Sequence, residues 1–132
     1  MTDQQHPDLD GWVRHYLGRV VNDRDASAVD ELVCPDYVGS GQGWAPDRDQ
    51  LRAFYTWQAH YRPDWHIDVQ ETVQVSEWVA VRAHAGGTVA HDGAGQPLQT
   101  PYPSAVEWLA AFRVVAGRLV ETRFLTVRDR IS

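Results

Sequence analysis

The chain changes its hydrophobic period once, near Trp65, and that change predicts its architecture. Before Trp65 the apolar residues recur at helical spacing. Leu9, Trp12, Val13, Tyr16, Leu17, Val20 and Val21 form a stripe over residues 8–22. The NDRD segment at 22–25 interrupts it. Asp25 is placed to cap a short second helix through Val33, with Ala28, Val29, Leu32 and Val33 inward, and Pro35 ends it. Tyr37-Val38 predicts a short strand. GSGQGWAP, residues 39–46, predicts a loop, and a tryptophan in a glycine-rich loop predicts Trp44 folded over something. Asp47 with Gln50 resembles a capping box for a third helix. That helix carries Leu51, Phe54, Tyr55, Gln58 and Tyr61 on one side, has Trp57 beside them, and ends before Pro63.

From Trp65 the period is two. Trp65, Ile67, Val69, Glu71, Val73 and Val75 alternate with polar residues. A turn near Ser76-Glu77 leads to a second strand, with Val79, Val81, Ala83 and Ala85 on one face and Trp78, Ala80, Arg82 and His84 on the other. HDGAGQP (91–97) predicts a hairpin loop, and PYP (101–103) a stiff start to the third long strand. The closing hairpin turns at Val115-Ala116-Gly117, a three-residue turn with Gly117 at positive φ. If Val114 then faces Arg118, one face holds Val106, Trp108, Ala110, Phe112, Val114, Val120, Thr122, Phe124 and Thr126. Large aromatics mixed with Ala and Thr on a curved face predict a hollow. Helices first and antiparallel strands after predict an α+β fold with the helices on one sheet face.

Composition narrows the function. At 132 residues, 43% apolar and 23% charged, residues 1–132 are expected to form one soluble domain with one core. The net charge of −6 argues against nucleic acid or an anionic membrane as partner. No apolar run approaches the roughly 18 residues of a membrane span, and the acidic, polar N-terminus is unlike a signal peptide. A cytoplasmic location is the expectation, in keeping with the single cysteine, Cys34. The absence of lysine excludes Schiff-base chemistry by a lysine side chain and any P-loop lysine. The six histidines, His6, His15, His60, His66, His84 and His91, are not at HxH or HExxH spacing, so no metal site is expected. With no nucleotide fingerprint either, a cofactor-independent reaction or binding alone remains. Six tryptophans suit a pocket for a flat hydrophobic small molecule.

The ordered segments NDRDASAVDELVCPDYV, LRAFYTWQAHYRPDWHIDVQETV, WVAVRAHAGGTV and FRVVAGRLVETR resemble the nuclear-transport-factor-2-like superfamily, and within it the SnoaL-like polyketide cyclases. The resemblance implies a cone-shaped curved antiparallel sheet, four long strands plus a short one, with three N-terminal helices packed on its concave face. It also implies a homodimer through the outer sheet face, where Trp78 and Leu109 would otherwise be exposed. SnoaL-like cyclases carry an acid six positions after the glutamate that follows the hairpin. Glu121 matches that glutamate, and position 127 is Val127. The next acid, Asp129, reaches that position only through a strand slip or bulge, and a one-residue slip reverses the faces. The positions matching the two acids of ketosteroid isomerases are Gly41 and Ala110. Tyr55 matches a pocket tyrosine of those isomerases, and Tyr16 lies within one residue of another.

The resemblance, with this aromatic pocket and its phenols, implies a small enzyme acting on a polycyclic or aromatic carbonyl by enolisation, with cyclisation, isomerisation or dehydration. Tyr55 and Tyr16 would donate to the developing oxyanion, and Asp129 or His84 would move the proton. Trp44, Phe54, Trp57, Tyr61, Tyr102, Trp108, Phe112 and Phe124 would line the pocket. Glu107, Glu121 and Arg123 fall on the opposite face as a charge network. A non-catalytic binder or accessory subunit is the alternative on the same fold, and a filled dimeric interaction module is a third.

Overall fold

The computed structural model describes residues 8–41 and 44–129. The N-terminal segment through Pro7, Gln42-Gly43 of the glycine-rich loop and residues 130–132 lie outside the described residues. The elements are α1 (Leu9–Leu17), α2 (Ala28–Leu32), β1 (Val33–Ser40), α3 (Arg48–Tyr61), β2 (His66–Val75), β3 (Trp78–His91), β4 (Pro97–Val115) and β5 (Arg118–Asp129). They build one curved, five-stranded sheet in the order β1-β5-β4-β3-β2. The four long strands are antiparallel, and β1 runs parallel along β5 at one edge. Among the described residues no helix is long and apolar enough to cross a membrane.

The first helix forms as its stripe predicts. The Asp8 carboxylate caps it by accepting from the Gly11 N–H, and Leu9, Val13, Tyr16 and Leu17 are buried. It continues as one wide π turn, Gly18–Asn22, which keeps Val20 and Val21 buried. Asn22 then closes on the edge strand β2. Its amide donates to the Ile67 carbonyl at 3.0 Å and accepts from the Ile67 N–H at 2.8 Å. One side chain thereby satisfies both backbone groups of an edge residue.

The second helix is shorter than its pattern predicts. Val33 is already extended, at φ −120° and ψ 133°, and opens an eight-residue β1 in place of the expected two-residue strand. α3 starts where predicted, with the Asp47 carboxylate accepting from the Gln50 N–H at 2.9 Å, and it buries Leu51 and Tyr55.

Bulges correct two of the predicted strand faces. In β2 the pairing steps from Val69↔Ala83 to Glu71↔Arg82, leaving Gln70 extra. Ile67 is buried before the bulge; Thr72 and Gln74 turn toward α1 after it, contacting Asp10 and the Leu9 N–H. Val73 and Val75 therefore face outward, 56% and 68% exposed. The closing hairpin has a two-residue turn, not three. Ala116 and Gly117 both have positive φ, 54° and 79°, as a type I′ turn requires. Val114 thus pairs with Leu119, and Leu119 takes the inner place predicted for Val120. An irregularity follows, and Thr122 pairs with Phe112. A second one leaves Leu125 extra between Ala110↔Phe124 and Leu109↔Thr126. Val127, not Thr126, then shares the inner face. The alternation of β3 holds from Trp78 to Ala85, with Val79, Val81, Ala83 and Ala85 buried under the helices.

Candidate active site

The helices do not fill the sheet's inner face. A cavity of about 160 Å³ remains between α1, α3, the Trp44 loop and strands β2 to β5. An engineered apolar cavity of about 150 Å³ holds one benzene, so this hollow admits one or two fused rings. Its walls are the rings of Trp44, Phe54, Trp65, Trp108, Phe112 and Phe124, with Leu17, Val21 and Ile67 between them. Near Val127, itself 45% exposed, the wall reaches solvent. Among the described residues no lining side chain is charged; the polar groups come from Tyr55, Gln58, Thr122 and the indoles.

Trp44 owes its place to Gly41. A Cβ at Gly41, where φ is +87°, would lie 2.1 Å from the Phe124 carbonyl oxygen, so only glycine lets this loop lie flat on β5. Trp44 then stacks on Phe124, centroids 5.1 Å apart, and meets Phe54 and Tyr55 edge-on. Its indole N–H donates to the Tyr37 hydroxyl at 2.9 Å.

Three phenols cluster behind this wall. Tyr55 lines the cavity and is buried. Tyr16, fully buried beneath it, pairs its hydroxyl with that of Tyr55, and the two rings meet edge to face at 6.4 Å. Burial pushes all three phenols, Tyr16, Tyr55 and Tyr37, above their ordinary range. They are therefore neutral hydrogen-bond donors at physiological pH, not bases. In the arrangement where Tyr16 donates, the Tyr55 proton is free for a ligand oxygen. The Thr122 hydroxyl sits beside Tyr37, buried and without a well-formed hydrogen bond among the described residues.

Of the residues singled out from the sequence, Tyr55, Trp44, Phe54, Trp108, Phe112 and Phe124 line one cavity. Tyr16 stands one layer behind. Trp57 and Tyr61 do not line it; they continue the aromatic surface along α3 toward His91. Tyr102 pairs with Val89 far along β4 and is 51% exposed, outside the cavity. His84 is on the outer face, where its Nε2 lies 3.1 Å from Glu107. There Glu107 also binds Arg82 and Arg128, and hydrogen bonds from Arg128, Arg82 and His84 lower its pKa to about 2. The parity of β3 keeps His84 from the cavity, which corrects its reading as a proton carrier there. The Leu125 bulge turns both Val127 and Asp129 to the inner side. Val127 lines the cavity, and Asp129, opposite Val106, lies two residues beyond it, exposed. Tyr37 and Trp65 are not among the predicted pocket residues, and the sequence places Thr122 on the hollow-lining face without a role; a buried tyrosine in a short edge strand has no distinguishing pattern. Among the described residues no three His, Cys, Asp or Glu side chains could hold a metal ion.

Solved structures with this fold are numerous. The proposed polyketide cyclase IdmH from Streptomyces antibioticus is 24% identical and aligns over 94% of this chain and 93% of its own, with a TM-score of 0.72. A proposed polyketide cyclase from Acidithiobacillus ferrooxidans is 16% identical, covering 96% and 91%, with a TM-score of 0.75. AclR from Streptomyces galilaeus, a proposed hydroxylase, is 20% identical over 93% and 82%, with a TM-score of 0.73. No curated protein matches the sequence significantly. At such identities these structures establish the fold alone, which hosts many chemistries. The family model of the SnoaL-like polyketide cyclases matches residues 12–129, from the α1 stripe to the last described residue of β5, and the chain belongs to that family.

Proposed function

We propose that this protein is a cofactor-independent cyclase-type enzyme acting on a hydrophobic aromatic or polycyclic carbonyl compound. The observation that carries this reading is the Tyr55 hydroxyl: buried on the cavity wall, supported from behind by Tyr16 and held neutral by its surroundings. A substrate carbonyl accepting from Tyr55 gains a donor whose partner was placed before the reaction began. As the carbonyl becomes an enolate its charge grows, and that bond strengthens where water is excluded. Enolisation also needs a proton acceptor. Asp129, turned to the cavity side by the bulge, takes that role at the mouth, and the carbon nucleophile closes the ring inside. The family and the solved relatives support the cyclase class.

A second reading, a non-catalytic binder, is favoured by Val127, which stands uncharged where the family resemblance places an acid. Turnover of an isolated polyketide-type substrate by wild type, Tyr55→Phe and Asp129→Asn separates the two. The enzyme reading requires a loss of about 10²-fold or more in kcat for Tyr55→Phe. Unchanged turnover in both variants defeats this mechanism, and a ligand recovered chemically intact from wild type supports the binder. A homodimer through the outer sheet face belongs to the same proposal. Val73, Val75, Trp78 and Leu125 form a shallow apolar surface there, with Arg123 lying over the Trp78 ring at 5.2 Å.

A further inference from the structure

The cavity is smaller than the ligands proposed for it. At about 160 Å³ it takes one or two rings, and the rest of a larger molecule must protrude. The structure offers a surface for that remainder. From Phe54 on the cavity wall the aromatic surface continues along α3: Phe54 to Trp57 at 6.3 Å, Trp57 to Tyr61 at 5.7 Å, Tyr61 to His91 at 5.1 Å. Over this strip lies Arg62, its guanidinium carbon 5.0 Å from the Trp57 ring and 5.6 Å from Trp65, which itself lines the cavity.

The strip is also where polar groups lack partners. Four buried side-chain nitrogen or oxygen atoms have no hydrogen-bond partner among the described residues. Three of them are here: Trp57 Nε1, Arg62 Nε and His91 Nδ1. The Arg62 guanidinium makes no ion pair with any carboxylate among the described residues. Arg14, Arg19, Arg52, Arg82, Arg113, Arg123 and Arg128 all do, while Arg24 and Arg48 donate to backbone carbonyls and Arg118, like Arg62, has no carboxylate partner among the described residues. In a chain of net charge −6, a half-buried cation held between two indoles and left unneutralised is costly to maintain. Its surroundings select the missing partner. All three unpartnered atoms are closed to solvent as the structure stands, so a partner reaches them only when the half-exposed Arg62 side chain swings aside. A guanidinium and an indole N–H are both donors, so the complement is an acceptor carrying negative charge.

We propose that Arg62, Trp57 and His91 form an anion subsite beside the cavity, which takes a carboxylate on the protruding part of an aromatic ligand. This rests on the cavity being the ligand site. It adds a substrate class: an aromatic acid, with the neutral reacting rings inside and the acid outside.

The test is isothermal titration calorimetry with 4-(1-naphthyl)butyrate and its neutral isostere 4-(1-naphthyl)butyramide. Wild type is expected to bind the acid about tenfold or more tightly than the amide. Arg62→Met, which keeps the aliphatic stem over the rings, is expected to abolish that preference and leave the amide's affinity unchanged. Trp57→Phe, which removes the indole N–H and keeps an aromatic ring on the strip, is expected to reduce it. Near-UV circular dichroism checks that each variant is folded. The preference in wild type stands as a separate test should Arg62→Met not fold. Equal binding of acid and amide by wild type, or a preference that survives in folded Arg62→Met, overturns the subsite and leaves the cavity reading intact. No binding of either probe overturns both.

Discussion

The Tyr16–Tyr55 hydrogen bond makes a quantitative prediction about stability that needs no substrate. Both side chains are almost fully buried, 1% and 3% exposed. Replacing either by Phe keeps the ring, its edge-to-face contact at 6.4 Å and the Tyr16 stack on Trp12 at 5.2 Å. Only a hydroxyl is lost. Tyr55→Phe strands the buried Tyr16 proton, a cost of about 1–3 kcal/mol. Tyr16→Phe removes the donor but leaves Tyr55 able to donate elsewhere, about 1 kcal/mol. The double variant strands nothing, because both hydroxyls leave together. Its loss should fall short of the summed single losses by about 1 kcal/mol, well outside the roughly 0.3–0.5 kcal/mol within which independent sites add. Urea unfolding at fixed protein concentration measures all four proteins, and an unchanged m-value confirms that they share one unfolded reference. Additive losses would refute the hydrogen bond, and with it the argument that Tyr55 has its proton free for a ligand.

Thr122→Val swaps a buried hydroxyl that lacks a well-formed hydrogen bond for a methyl of similar shape. The variant should be more stable by about 1 kcal/mol in urea unfolding; a loss of that size would mean that the hydroxyl supports Tyr37. Glu107 has its pKa lowered from 4.5 to about 2, so its contribution is complete above about pH 4.5 and is lost as pH falls toward 2. Wild type should therefore lose stability more steeply across that window than Glu107→Gln, and parallel profiles would contradict the assignment. Leu125→Arg places a charge on the outer apolar surface. Light scattering should give twice the 14.9 kDa chain mass for wild type and the single mass for the variant; a wild-type monomer would end the dimer proposal.

The helices and the run of four long strands are legible because each rests on local physics. The α1 stripe, the Asp47 cap and the β3 alternation each state their own geometry, and the chain follows them. The facing of β2 and β5 is not legible beyond their bulges. Alternation assumes one residue per pleat, whereas Gln70, Leu125 and the irregularity near Val120 add residues where the sheet curves over the helices. Curvature is a property of the assembled sheet, and no residue type announces it. For the same reason the cavity's aromatic walls could be named from the sequence, but its mouth could not. Trp57, Tyr61 and Tyr102 are large rings on elements that touch the cavity, and size alone does not say how far along an element the cavity extends. The Tyr37–Trp44 hydrogen bond joins an edge strand to a loop, a pairing that spacing does not encode.

The bulge at Leu125 has a consequence for descent and for redesign. A bulge stores a length change locally: deleting Leu125 would restore a regular strand with Val127 still opposite Trp108 and Asp129 still opposite Val106. Straightening the strand without a deletion would instead reverse both. Kinship of positions in this strand is therefore kept by cross-strand partner and not by counting residues. An alignment that moves its gap by one residue would match the family's acid to the wrong neighbour. Judged by partner, the residue facing Trp108 is the one that decides whether a carboxylate enters this cavity. Here a single substitution, Val127→Asp, would supply it.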